Sequence, residues 1–127
     1  MTKSNILIVE DNMIIAIDIQ DRLESFGYAV PTIATTGEQA IAKTAELKPD
    51  LIIMDIGLNG NINGIETVEK IRENFKIPVI YLTGNSDLLK QANITDPYIV
   101  KPFEDEELKS LIASLLDNPG QKHIAAR

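Results

Sequence analysis

Five chemically active side chains each follow a short apolar run. Glu10 and Asp11 follow Ile6-Leu7-Ile8-Val9, and Asp55 follows Leu51 to Met54. Thr83, with Gly84, follows Val79 to Leu82, and Lys101, with Pro102, follows Tyr98 to Val100. Brought to one place, they would form a site of three carboxylates, one hydroxyl and one ammonium. Two carboxylates about 4 Å apart repel by about 4 kcal/mol at an effective dielectric near 20. Three must therefore raise one another's pKa or recruit a cation. An all-oxygen set without Cys or His favours Mg²⁺, with Mn²⁺ as an alternative. A lysine offsets part of the remaining charge. A carboxylate beside such a cation and a lysine can attack phosphorus and form an aspartyl phosphate. A nucleophile at a rigid strand end is also held in place better than one on a loop.

The elements that would position them can be read from the hydrophobic pattern. The apolar runs, together with Ala29 to Ile33, are short, rich in Ile and Val, and lack polar alternation. That suits strands covered on both faces. Helical patterns lie between them. Residues 12 to 26 carry Ile15, Ile19, Leu23 and Phe26 on one face, and Thr36 and Gln39 have capping-box spacing. Asn63 caps a segment with Ile65, Val68, Ile71 and Phe75 inward. A short segment runs from Ser86 to Ala92, and Leu108, Leu111, Ile112 and Leu115 mark the last helix before Pro119-Gly120. Five strand–helix repeats predict an α/β, doubly wound fold, with a parallel sheet covered by helices on both faces. Ligands in such sheets bind beyond the carboxyl ends of the strands, where the five side chains stand.

Composition narrows the alternatives. The 127 residues fit one domain, read as 1–119, with 120–127 as a tail or linker that includes His123. The net charge is -7 and no Lys/Arg cluster occurs, which argues against direct nucleic-acid binding. No apolar run approaches about 18 residues, so no membrane span is expected. The N-terminus does not read as a signal peptide, leaving the cytoplasm as the expected location.

The stretches ILIVED, KPDLIIMDI, NGIE, VIYLTG and YIVKPF, in that order, make residues 4 to 117 resemble a response-regulator receiver domain. The resemblance implies a flavodoxin-like fold, with a five-stranded parallel sheet of order 2-1-3-4-5. The resemblance implies that Asp55 accepts a phosphoryl group from a histidine kinase or a histidine phosphotransfer protein and also binds Mg²⁺. Glu10 and Asp11 would be the acidic pair, with Asp11 the direct ligand, and the Gly57 backbone carbonyl would be another. Thr83 and Lys101 would bond phosphoryl oxygens. Tyr98 falls at an aromatic switch position, and Lys101-Pro102 matches a cis peptide that aims the lysine. Such a domain is a signalling phosphoacceptor rather than an enzyme with a separate substrate. It promotes only its own phosphorylation and dephosphorylation. Gly57 and Asn85, two residues beyond Asp55 and Thr83, flank the path of the hydrolytic water and should modulate the lifetime of the phosphoryl group.

The sequence departs from the family at two places. Asn59 replaces a usual proline, in a loop about one residue longer than usual. Only 17 residues separate Thr83 from Lys101, which predicts a shortened fourth helix and a remodelled face around the fifth strand. The common dimer through that face is therefore not expected, although the oligomeric state is left open. Taken alone, Glu10-Asp11 could be no more than a cap for the first helix. Two other functions compete. One is a phosphorylation-independent interaction module, for which the altered loop and short fourth helix leave room. The other is a flavin carrier, which Glu10-Asp11 disfavours by repelling the flavin phosphate.

Overall fold

The computed structural model describes residues 3–116. Strands β1 (Ile6–Val9), β2 (Ile33–Ala34), β3 (Leu51–Asp55), β4 (Val79–Thr83) and β5 (Tyr98–Val100) alternate with helices α1 (Met13–Ser25), α2 (Gly37–Leu47), α3 (Gly64–Arg72), α4 (Asp87–Gln91) and α5 (Asp105–Leu116). The sheet is parallel in the order β2-β1-β3-β4-β5. It separates two cores. Ile6, Ile8, Ile53, Ile80, Leu82 and Ile99 face α1 and α5, where Ala16, Ile19, Leu23, Leu108, Ile112 and Leu116 meet them. Leu7, Val9, Ile52, Met54, Val79 and Tyr81 face the other way, toward Ala40, Val68, Ile71 and Leu89. Burial on both faces explains why these strands show no polar alternation.

Three local readings need correction. The second strand does not run from Ala29 to Ile33. Its ladder pairing to β1 covers Ile33 and Ala34, with an isolated bridge from Asn5 to Ala29. Pro31, between them, has no N–H to give a ladder. In α1 the buried stripe is Ala16, Ile19 and Leu23, while Ile15 is exposed beside Met13, Ile14 and Ile17. The small Ala16 lets the helix lie close to the sheet and turns Ile15 outward. In α2, Thr36 Oγ1 accepts the Gln39 N–H at 3.1 Å, but Gln39 Oε1 reaches back to the Thr35 N–H and hydroxyl rather than to Thr36. The reciprocal box forms instead at α3, between Asn63 and Glu66.

Helix α4 is as short as the spacing predicts. Its five residues are held by one buried side chain, Leu89, and by Asn85 Oδ1, which accepts the Asp87 N–H at 2.9 Å. So short a helix cannot cover the neighbouring edge strand. The expectation that β5 is buried on both faces therefore fails: Ile99 is buried, but Tyr98 and Val100 are 39% and 41% exposed. The predicted stop at Pro119-Gly120, the tail and His123 lie outside the described residues.

One position carries avoidable strain. Lys48 ends α2 in the left-handed region, with φ 47 and ψ 63, and is exposed. Glycine adopts this conformation without the clash a Cβ brings. Lys48→Gly is expected to stabilise the fold by about 1 kcal/mol, raising Tm by about 4 °C in a thermal melt. A lowered Tm would contradict that reading.

Candidate functional site

The carboxyl ends of β1, β3, β4 and β5 meet as the topology requires. β1 ends against β3 with Val9 opposite Met54, β3 ends with Asp55 opposite Leu82, and β4 ends with Thr83 opposite Val100. This register delivers Glu10, Asp11, Asp55, Thr83 and Lys101 to one edge.

One carboxylate oxygen from each of Glu10, Asp11 and Asp55 lies within 4.8 Å of the others. A Mg²⁺ ion takes oxygen at about 2.0–2.1 Å in octahedral geometry, so adjacent ligands would have to draw together to about 3 Å to share one. The donors are all hard oxygen, which fits Mg²⁺ or Mn²⁺. Asp11 is free for this role because Asn12, not Asp11, caps α1: Asn12 Oδ1 accepts the N–H groups of Ile14 and Ile15 at 3.0 and 3.3 Å.

Lys101 Nζ stands 3.5 Å from both Glu10 Oε1 and Asp55 Oδ1. Its backbone N–H donates to the Thr83 carbonyl at 2.8 Å, and the Lys101-Pro102 peptide is cis. Asp55 is 8% exposed and also accepts the Gly57 N–H at 3.1 Å. Glu10 is more deeply buried and accepts the Asn12 N–H at 3.1 Å. Burial pushes the Glu10 carboxyl up to about 7, and the neighbouring Asp55 adds to this. The Asn12 N–H and Lys101 oppose the shift without cancelling it. Burial thus works against the charged form of one of the three carboxyls.

The remaining predicted residues are less engaged. The Thr83 hydroxyl donates to the Asn85 carbonyl at 2.8 Å and accepts the Asn85 N–H at 3.0 Å, so it is turned back on the backbone. The Asn85 side-chain oxygen accepts the Asp87 N–H at the start of α4. Tyr98 pairs in register with Tyr81, two residues below the Thr83–Val100 pair, on the exposed flank of β5. Gly57 is exposed, and a Cβ there would meet only Asp55 Oδ1, at 3.8 Å.

Two contributors were not singled out for chemistry by sequence reasoning. Asn59 donates to Asp11 Oδ2 twice, from its side-chain amide at 2.7 Å and its backbone N–H at 3.3 Å. Its only signal was that it stands where a proline is usual. Gly64, the first residue of α3, packs so closely on the end of β3 that a Cβ would lie 2.6 Å from the Asp55 carbonyl oxygen. The NGIE stretch carries that signal, since a glycine at a helix start is otherwise a poor helix former.

Comparison with known proteins agrees with this architecture. The response regulator receiver domain family matches residues 6–113. The chain belongs to that family. Among relatives, the receiver is 41% identical to the response regulator ArlR of Staphylococcus saprophyticus over 128 residues, covering 98% of this chain and 56% of that one. It is 31% identical to the phyllosphere-induced regulator PhyR of Methylorubrum extorquens, covering 89% and 43%. The receiver spans about half the length of the relatives it matches. Among solved structures, the response regulator PhyR from Brucella abortus superposes with a TM-score of 0.85 at 32% identity, covering 99% of this chain and 53% of that one. The receiver domain of the sensor histidine kinase PA1611 from Pseudomonas aeruginosa, at 29% identity and a TM-score of 0.82, covers 91% and 99%, and holds a magnesium ion coordinated in its active site cleft. The receiver is thus a signalling domain with a flavodoxin-like fold. No helix among its described residues is long and apolar enough to cross a membrane.

Proposed function

We propose that the receiver takes a phosphoryl group onto Asp55 from the phosphohistidine of a histidine kinase or histidine phosphotransfer protein in the cytoplasm, in a Mg²⁺-dependent reaction. The observation that carries this reading is the placement of Asp55: a strand-end carboxylate, 3.5 Å from Lys101 and grouped with Glu10 and Asp11. An Asp55 carboxylate oxygen attacks phosphorus in line. The new P–O bond forms as the P–N bond breaks, and the electron pair returns to the imidazole nitrogen. Glu10, Asp11, Asp55 and the Gly57 carbonyl would hold Mg²⁺, which when bound offsets charge on the phosphoryl oxygens. Lys101 swings its ammonium from the carboxylates to an equatorial oxygen. Thr83 exchanges its bonds with the Asn85 backbone for one to another phosphoryl oxygen.

That exchange is the switch. Releasing the Asn85 turn loosens the entry to α4, and Tyr98, on the uncovered flank of β5, has room to move inward as Thr83 leaves. Leu88, Tyr98 and Val100, all more than a third exposed, form the surface that changes. This surface is also what favours the second reading, a receiver-like module that binds partners without phosphorylation. The assembled carboxylates argue for the first, because a site without a cation or a phosphoryl group gains nothing from holding them together.

Titration with beryllofluoride and Mg²⁺, followed by amide NMR, tests the reading. Resonances of Asp55, Thr83 and Lys101 should shift, and Asp55→Asn should abolish the change. An unchanged spectrum in the folded wild type would favour the phosphorylation-independent module.

Hydrolysis of the acyl phosphate returns the domain to its resting state. Gly57 leaves the approach to Asp55 open, so Gly57→Arg should slow decay by shielding the phosphoryl group, and Asn85→Ala should alter it by removing a polar group at the rim. Changes of several-fold are expected in the decay of the phosphorylated form. Unaltered decay in both variants would show that these positions do not govern lifetime.

A further inference from the structure

We infer that Asn59 is a positioning residue for the cation site, and that it bridges two loops to fix the carboxylate of Asp11. The inference rests on the reading of Glu10, Asp11 and Asp55 as cation ligands. Asp11 stands after β1 and Asn59 in the loop between β3 and α3. The Asn59 amide Nδ2 donates to Asp11 Oδ2 at 2.7 Å and the Asn59 backbone N–H to the same atom at 3.3 Å. Both donors fall on one oxygen, so Oδ1 keeps its lone pairs for a cation. The loop can hold this pose because Ile56 and Leu58 are buried on either side of exposed Gly57, and Gly60, at φ +121, makes the turn that follows. A proline at 59 would offer neither donor.

Without Asn59 the Asp11 side chain is free to rotate toward solvent, or toward Lys101. Either motion must be reversed when a cation binds. Outer partners that orient ligating carboxylates commonly change metal affinity by about 10- to 100-fold. Asn59 is exposed, so it contributes little to the core.

Isothermal titration with Mg²⁺, on the wild type and on Asn59→Ala, tests the inference beside thermal melts in EDTA. The expected result is Mg²⁺ binding by the wild type, a Kd about tenfold weaker in Asn59→Ala, and equal melting temperatures without metal. In the wild type, ¹⁵N NMR should show the Asn59 side-chain amide protons slowed in exchange before Mg²⁺ is added and still slowed afterwards. Equal or tighter Mg²⁺ binding by Asn59→Ala overturns the inference. So does an Asn59 amide released by Mg²⁺, which would make it a competitor of the cation rather than a support. Failure of the wild type to bind Mg²⁺ would overturn the underlying reading of the acidic site itself, and is distinguishable because it appears before any variant is made.

Discussion

Replacing Lys101 by alanine is expected to slow phosphorylation of Asp55 by about 10²- to 10³-fold, the usual cost of removing one fixed donor to a developing anion, while leaving Mg²⁺ binding intact or tighter. The two halves of this prediction come from one geometry. Lys101 Nζ is 3.5 Å from Glu10 Oε1 and from Asp55 Oδ1. Both carboxylates attract the ammonium at this distance, and solvent at the partly exposed lysine screens the attraction. In the resting site the ammonium neutralises carboxylate charge, so its loss leaves more negative potential for a divalent cation. In the transition state the ammonium sits against phosphoryl oxygen, so its loss removes stabilisation that Mg²⁺ alone does not replace. Rates from a small phosphodonor, measured at saturating Mg²⁺ beside a Mg²⁺ titration, separate the two. A variant that phosphorylates at the wild-type rate would remove Lys101 from the mechanism. A variant that fails to bind Mg²⁺ would mean that the lysine organises the carboxylates instead of balancing them.

The second large effect is on stability. Gly64→Ala places a Cβ 2.6 Å from the Asp55 carbonyl oxygen, 3.0 Å from Ile56 Cα and 3.1 Å from Met54 Cγ. The first two are backbone atoms at the end of a buried central strand and cannot turn aside. Either α3 lifts from the sheet or the end of β3 is pushed away. Overpacking of this kind costs about 3 kcal/mol, a fall in Tm on the order of 12 °C. Because the displaced backbone is that of Asp55, the variant should also phosphorylate poorly at temperatures where it remains folded. Gly84→Ala is the control, since apart from its chain neighbours nothing lies within 4 Å of a Cβ added there; it should melt within about 2 °C of the wild type. If both variants melt like the wild type, the close approach of α3 to β3 is not as described.

What was readable in the sequence follows from which forces act locally. The central strands β1, β3 and β4 announce themselves because burial on both faces admits only apolar side chains, and the chemistry stands out because charge follows such runs abruptly. The shortness of α4 was countable from the spacing between Thr83 and Lys101. Effects decided by tertiary geometry were not readable. The exposure of Tyr98 and Val100 depends on what α4 fails to cover. The burial of Ala16 in place of Ile15 depends on how closely α1 lies on the sheet. Pro31 was visible, but its consequence for β2 depends on which N–H groups β1 needs. The choice of Asn12 over Asp11 as the cap of α1 was ambiguous by propensity, since both residues cap well. In the structure Asn12 takes the cap, while Asp11 accepts from Asn59, 48 residues away. The tight approach at Gly64 left a trace in NGIE, but the atom it spares, the Asp55 carbonyl, could be named only from coordinates.

Intact mass after brief incubation with acetyl phosphate and Mg²⁺ tests most directly whether Asp55 is a working phosphoacceptor. The wild type should gain one phosphoryl group, and the gain should vanish in Asp55→Asn and when EDTA replaces the metal. A folded wild type that gains no mass at the shortest times, or an Asp55→Asn variant that gains as much as the wild type, would contradict it.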